Sequence, residues 1–269
     1  MYEDVIEIAK EAGKILVSYH GKKVDIRNKS ATSYSPVSTA DLEANKFICE
    51  SLNKYGYQIL SEESEEQDLD FSKPTWIVDP LDGTVGFLNK SKDFCTMIAL
   101  MIDKEIIFGV VYVPMHDKLY YAEKEKGAWL IHDGVKKQIH VSKTEKLSHS
   151  SRVVRPFRNP NFLDVLLDGK LRCKSKILGS NGIRICAVAE GEIDFCVNNS
   201  GGPSKWDTAA GTIILEEAGG KITNFIGDAL DHSGEELQWE KSYIASNDSL
   251  HDQILKEIPK NALEMMKLR

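Results

Sequence analysis

Apolar residues at Val5, Ile8, Ala9, Ala12, Ile15, Leu16 and Tyr19 recur at helical spacing, so residues 3–20 are predicted to form an amphipathic helix that Gly21 stops. The polar stretch 22–37 predicts a mobile connection with a strand near 24–26. Ser38 and Asp41 have capping-box spacing at the head of a second helix, whose buried side is predicted to carry Leu42, Phe47, Ile48 and Leu52. Residues 58–60 predict a short strand. Trp76, Ile77 and Val78 are β-formers in an apolar run and predict the end of a buried strand that delivers Asp79 to its tip, where Pro80 stops the ladder.

From 94 to 130 the apolar runs predict a meander with strands at 94–102, 106–113, 118–123 and 128–131. Turn signals fall at Asp103-Lys104, Pro114 and Lys126-Gly127. A polar link at 142–151 marks the expected boundary between an N-terminal α+β subdomain, 1–145, and a C-terminal α/β subdomain, 146–269. Beyond it, strands are predicted at 152–154, 176–178 and 193–197, and helices at 162–167 and 182–190. The last strong element is a helix over 206–220, with Asp207 where an N-cap belongs and Gly219-Gly220 at its end. A strand and a looped stretch follow, then terminal helices at 249–258 and 262–266.

Composition narrows the field without choosing within it. A chain of 269 residues that is 42% hydrophobic and 28% charged is long enough for a sizeable core. The balance of 34 basic and 41 acidic residues, net −7, disfavours a protein that grips a nucleic-acid backbone. Small anionic substrates stay open if bound metals reverse the local sign. The acidic start lacks the pattern of an export signal, and the longest apolar run, 95–102, is too short to span a bilayer, so a cytoplasmic protein without a membrane partner is expected. Five cysteines, odd in number and without C-x-x-C spacing, predict buried reduced thiols.

Candidate chemistry gathers at residues 76–87. Asp79 and Asp82 flank Pro80-Leu81, and Gly83-Thr84 follow with backbone N–H groups that can face an anion. Two hard carboxylates beside such a backbone suit Mg²⁺ bridging to a phosphate. Further acids stand in Ser61-Glu62-Glu63-Ser64, Thr39-Ala40-Asp41 and Trp206-Asp207-Thr208-Ala209-Ala210-Gly211. Taken singly, each has a plain structural reading: a solvated acidic loop for Glu62, a cap for Asp41 and for Asp207, a turn hydroxyl for Thr84.

Together, the Glu-Glu pair, Asp79-Pro80-Leu81-Asp82-Gly83-Thr84 and the Trp206-Asp207 string resemble, in type and order, the motifs of the inositol monophosphatase superfamily of Mg²⁺-dependent, lithium-sensitive phosphomonoesterases. The resemblance implies a layered α-β-α-β-α sandwich of the inositol monophosphatase and fructose-1,6-bisphosphatase type. It implies two or three Mg²⁺ ions held by Glu62, Asp79, the Leu81 carbonyl, Asp82 and Asp207. Asp41 and Thr84 would handle the attacking water, Gly83 and Thr84 would offer N–H groups to the phosphate, and Asp207 would also face the leaving group. Members commonly form homodimers.

Within the superfamily the chain is most similar to the CysQ-like 3′(2′),5′-bisphosphate nucleotidases. Leu60-Ser61-Glu62-Glu63, 137–141, Val188-Ala189-Glu190-Gly191 and the W-D-T-A-A-G string carry that similarity, and Gly179-Ser180 followed by Arg184 resembles the G-S-x-x-K segment that helps hold the nucleotide. The expected reaction is hydrolysis of 3′-phosphoadenosine 5′-phosphate to AMP and phosphate, with Ser180 and Arg184 among the substrate contacts. One departure stands out. Val85-Gly86-Phe87 follows D-G-T where nucleotidases carry Lys-Glu and an aromatic, so an inositol-1-monophosphatase or a sugar phosphatase is the main enzymatic alternative. An inactive regulator that binds metal or phosphate is the alternative outside catalysis.

Overall fold

Strand β4 (Thr75–Asp82) is buried along its whole length and lies near one edge of the larger of two main sheets. A computed structural model gives the fold, and it describes residues 2–28, 36–64, 69–156, 173–198, 203–239 and 242–258. The larger sheet has seven strands in the order β3 (Gln58–Ser61), β4, β5 (Cys95–Ile102), β6 (Glu105–Val113), β7 (Lys118–Glu123), β8 (Ala128–His132) and β9 (Val135–Ile139). Only the β3–β4 pair is parallel.

Strand alternation sorts its two faces. Trp76, Val78, Ile98, Leu100, Phe108 and Val110 pack against helices α1 (Tyr2–Tyr19) and α2 (Thr39–Leu52) through Val5, Ala9, Ile48 and Leu52. Each fully buried aliphatic or Phe side chain in such a layer contributes about 1.5–3 kcal/mol. Ile77, Met97, Ala99 and Val111 face the other way and meet helices α4 (Asn181–Ala189) and α5 (Ala209–Glu217). At Gly109 the approach is so close that a Cβ would sit 2.7 Å from the Ala210 carbonyl oxygen. Only glycine fits there.

Beyond α4 and α5 lies a five-stranded sheet in the order β11 (Lys174–Leu178), β10 (Arg152–Pro156), β12 (Phe195–Val197), β14 (Tyr243–Asn247), β13 (Gly220–Asn224). Its far face is covered by α6 (Asp248–Glu257), with Leu250 and Ile254 against Val153, Phe195 and Ile244. The layering is therefore α-β-α-β-α, an α/β sandwich. A small antiparallel pair, β1 (Ile26–Asn28) and β2 (Pro36–Ser38), precedes α2. Among the described residues no helix is long and apolar enough to cross a membrane.

Several sequence expectations need correction. Pro80 does not stop the ladder: β4 resumes pairing at Asp82 with Cys95 after an irregularity between Asp79 and Asp82, and Thr96 Oγ1 donates to the Pro80 carbonyl at 3.0 Å. A bulge absorbs the missing N–H. Leu42 is 40% exposed, because α2 buries Ala40, Asp41, Ala44, Ile48 and Leu52 instead. Strands β9 and β14 were missed, although Asp133-Gly134 is hairpin turn chemistry. The helix expected over 206–220 begins only at Ala209, with Thr208 rather than Asp207 at its N-cap. The helices expected at 162–167 and 262–266 lie outside the described residues. The cysteines are free, four of them buried and Cys49 half-buried.

The polar link 142–151 is held in place. Asp194 accepts from Ser142 Oγ (2.6 Å), Thr144 Oγ1 (2.9 Å) and the Arg152 amide (2.6 Å), while Asn247 Nδ2 donates to the Ser142 and Thr144 carbonyls. Arg152 and these donors hold the Asp194 carboxyl below its usual range against the opposing effect of burial.

Candidate active site

The register of β3 on β4 places the first acids side by side. Ser61 pairs with Val78 in a parallel ladder, and the Glu62 amide donates to the Val78 carbonyl at 3.1 Å, so Glu62, just past the end of β3, comes beside Asp79 at the same end of the sheet. Asp79 shares the inward face of β4 with Ile77. The bulge then turns Asp82 inward as well, and one oxygen each from Asp79, Asp82 and Asp207 lie within 4.8 Å of one another. Asp79 and Asp82 are 1% and 4% exposed, which separates this cluster from an ordinary solvated acidic surface.

Electrostatics in the cluster are unfavourable as the chain stands. Burial and the neighbouring Glu62, Asp82 and Asp207 carboxyls push Asp79 well above the carboxylate range. Asp207 is pushed up to about 8 by burial and by Asp82 and Glu62. Burial also raises Asp82, against the opposing pull of Ser180, the α4 amides and Arg184. Asp79 Oδ1 accepts from the Leu81 amide at 3.0 Å, but Oδ2 is buried with no donor. Clustered carboxylates with an orphaned oxygen are the donor set of a hard divalent cation, whose charge offsets both the repulsion and the desolvation. The residues fit Mg²⁺.

Two carboxylates of the cluster are gripped by the start of α4. Asp82 Oδ2 accepts from Ser180 Oγ (2.5 Å) and the Gly182 amide (2.7 Å). Asp207 Oδ1 accepts from Asn181 Nδ2 (3.1 Å), and its Oδ2 accepts from the Ser204 amide (2.6 Å). Asp207 therefore closes a turn backwards onto Ser204 rather than capping α5.

Next to the cluster, Gly83 adopts φ +97 and starts the short helix α3 (Thr84–Leu88). Thr84 Oγ1 stands 3.1 Å from both Asp41 Oδ1 and the Leu81 carbonyl. The other oxygen of Asp41 accepts from the Ser38 amide (2.9 Å) and hydroxyl (2.5 Å). Asp41 thus serves as the capping acid of α2 with one oxygen and faces Thr84 with the other. Burial raises its carboxyl above the usual range, opposed by the bonds from Ser38 and Thr84.

The sequence model of the inositol monophosphatase family matches residues 1–263. The chain belongs to the inositol monophosphatase family. Among its relatives, the 3′(2′),5′-bisphosphate nucleotidase CysQ of Aggregatibacter actinomycetemcomitans is 33% identical over 230 residues, 82% of this chain and 83% of that protein. The inositol-1-monophosphatase of Caulobacter vibrioides is 32% identical over 264 residues, 94% of this chain and 99% of that protein. The crystal structure of the extragenic suppressor protein SuhB of Bartonella henselae superposes with a TM-score of 0.83 at 28% identity, covering 96% of this chain and 98% of that one. As a member of this family the chain is a phosphatase, a phosphoric monoester hydrolase acting on small phosphate esters.

Within the inositol monophosphatase fold the two proposed nucleotide contacts sit deeper than the sequence suggested. Ser180 is fully buried, its hydroxyl committed to Asp82 and to the Ile183 amide as the N-cap of α4. Arg184 is 2% exposed and donates to Asn181 Oδ1, with Asn198 Oδ1 at 3.5 Å. Counted from Gly179, the fifth position of G-S-x-x-K is Ile183, and one helical step turns Arg184 by roughly 100° onto the buried side. Arg184 is a structural cation here. Asn181, joined to Asp207, was missed by sequence reasoning because an Asn in the first helical turn carries no chemical signature of its own.

Proposed function

We propose that the chain is a Mg²⁺-dependent phosphomonoesterase whose substrate is a 3′(2′),5′-bisphosphate nucleotide. The observation that carries the reaction is the hydrogen bond between Thr84 and Asp41 beside the Asp79, Asp82 and Asp207 cluster. Glu62, Asp79, the Leu81 carbonyl, Asp82 and Asp207 would hold two or three ions. Bound Mg²⁺ supplies a Lewis acid that makes water a better nucleophile and offsets the charge of phosphate. Thr84 donates its one hydroxyl hydrogen bond to Asp41, so its lone pairs can accept from the attacking water. As that water is deprotonated, its proton passes to Thr84 and the Thr84 proton to Asp41. Burial makes Asp41 the stronger base for that task. The Gly83 and Thr84 amides lie at the start of α3, where they would meet phosphate oxygens.

The nucleotide assignment is supported by the motifs shared with the CysQ branch and by the relative at 33% identity. A second substrate reading, inositol 1-phosphate, is favoured by Val85-Gly86-Phe87: Phe87 is 3% exposed and packs with Leu81 and Phe94, and neither neighbour offers the polar side chains of the nucleotidases. Phosphate release from 3′-phosphoadenosine 5′-phosphate, inositol 1-phosphate and fructose 1,6-bisphosphate, each with Mg²⁺, tests both. Preference for the first is expected. Equal or faster turnover of inositol phosphate would overturn the nucleotide reading, and no release from any of them would leave a binding protein.

A further inference from the structure

Asn181 is the one side-chain amide that touches a carboxylate of the cluster among the described hydrogen bonds, and its orientation is determined by what lies behind it. Arg184 Nη2 and the Tyr243 hydroxyl, at 3.0 Å, both donate to Asn181 Oδ1. A guanidinium has donors only, so the amide oxygen must face it and the amide nitrogen must face away. That leaves Nδ2 aimed at Asp207 Oδ1, 3.1 Å distant. Arg184 and Tyr243 are themselves immobilised, at 2% and 0% exposure.

We propose that Asn181 is a positioning residue for Asp207, held in its working orientation by Arg184 and Tyr243. The relay runs from the strand β14 and the buried face of α4 to the carboxylate supplied by the turn before α5. With Oδ1 bound by Asn181 and Oδ2 by the Ser204 amide, the Asp207 carboxylate is held at both oxygens, one of which lies within 4.8 Å of an oxygen each of Asp79 and Asp82. Groups that orient a metal-ligating carboxylate in this way typically cost 10–100-fold in metal affinity when removed. The inference rests on the reading of Asp79, Asp82 and Asp207 as cation ligands, and it adds a cause for why Asp207 points where it does.

The test is a Mn²⁺ titration of the full chain, followed by the loss of the free-ion signal in electron paramagnetic resonance, for wild type, Asn181→Leu, Tyr243→Phe and the double variant. Urea unfolding of each metal-free protein runs alongside to confirm folding. Asn181→Leu keeps the branched skeleton and removes the donor, and roughly 10–100-fold weaker Mn²⁺ binding is expected. Tyr243→Phe removes one of the two bonds that orient the amide, and a smaller loss is expected. In the double variant the Tyr243→Phe effect should vanish, because Tyr243 acts through Asn181. Wild-type affinity in Asn181→Leu, or an unchanged Tyr243→Phe effect in its absence, would overturn the relay while leaving the cation site standing. If wild type itself binds no Mn²⁺, both the relay and the cation site fall. Should Asn181→Leu fail to fold, Tyr243→Phe, which loses only a hydroxyl, decides: wild-type affinity there overturns the relay.

Discussion

Ser180 Oγ lies 2.5 Å from Asp82 Oδ2, a bond spanning 98 residues that ties the head of α4 to the end of β4. Asp82→Asn is expected to preserve this bond, since the amide oxygen can accept from Ser180 and Gly182 while the NH₂ turns toward the cluster. The fold would survive and the cation charge balance would not. A fall in kcat/KM beyond about 100-fold, more than an outer ligand contact alone costs, is expected from phosphate-release kinetics. Turnover near wild type would remove Asp82 from the site.

Thr84 joins Asp41 to the turn that carries the acids. Thr84→Val removes the hydroxyl at nearly constant volume, and kcat is expected to fall by roughly 10²–10⁴ with little change in KM. Thr84→Ser keeps the hydroxyl and should restore much of the rate. Equal losses in both variants would mean that the methyl group, not the proton path, matters.

Mg²⁺ should stabilise the folded chain, because the unfolded chain has no cluster to bind it. At 100 times Kd the gain is about 2.7 kcal/mol, or roughly 5–10 °C in Tm for a chain of this size. A chelator should reverse it, and the gain should be absent from Asp79→Asn. Lithium should inhibit phosphate release by displacing one Mg²⁺, and undiminished release in lithium would show that no Mg²⁺ needed for the reaction is displaced.

Gly109 admits α5 against β6. Gly109→Ala would drive a methyl group into the Ala210 carbonyl and the Ile213 side chain, both 2.7 Å from the added atom. A loss of about 1–3 kcal/mol is expected by urea unfolding. Unchanged stability would show that α5 can shift.

His251 is fully buried, with Ser246 Oγ 2.7 Å from Nδ1 and Thr223 Oγ1 2.8 Å from Nε2. Desolvation lowers its pKa from 6.5 to about 4. The unfolded chain therefore binds the proton first as pH falls. This residue's contribution is whole above pH 6.5 and is lost progressively as pH drops through the window down to about 4. Over that window, the wild-type stability slope should exceed that of His251→Gln by up to about 1.4 kcal/mol per pH unit. Identical slopes in urea titrations would mean that the ring is protonated in the folded state.

Much of this protein was legible in its sequence because local periodicity is a property of short segments. The amphipathic stripe of α1, the apolar run of β4 with acids at its end, and the meander from β5 to β8 each declare themselves within one element. Strands β9 and β14 did not, since β9 is an edge strand with four exposed positions and β14 is a short, fully buried run. Motif order identified the acids, but their convergence depends on contacts between distant parts of the chain. The parallel register of β3 on β4 brings Glu62 to Asp79, and a bond across 43 residues brings Thr84 to Asp41. Only the packing of α4 between the two sheets decides that Arg184 is turned inward to hold Asn181 and that Asn181 meets Asp207. Sequence fixes which side chains are present and the face of an element each can occupy. What a side chain touches follows from how helices and sheets stack, and that is settled by burial of surface across the whole chain.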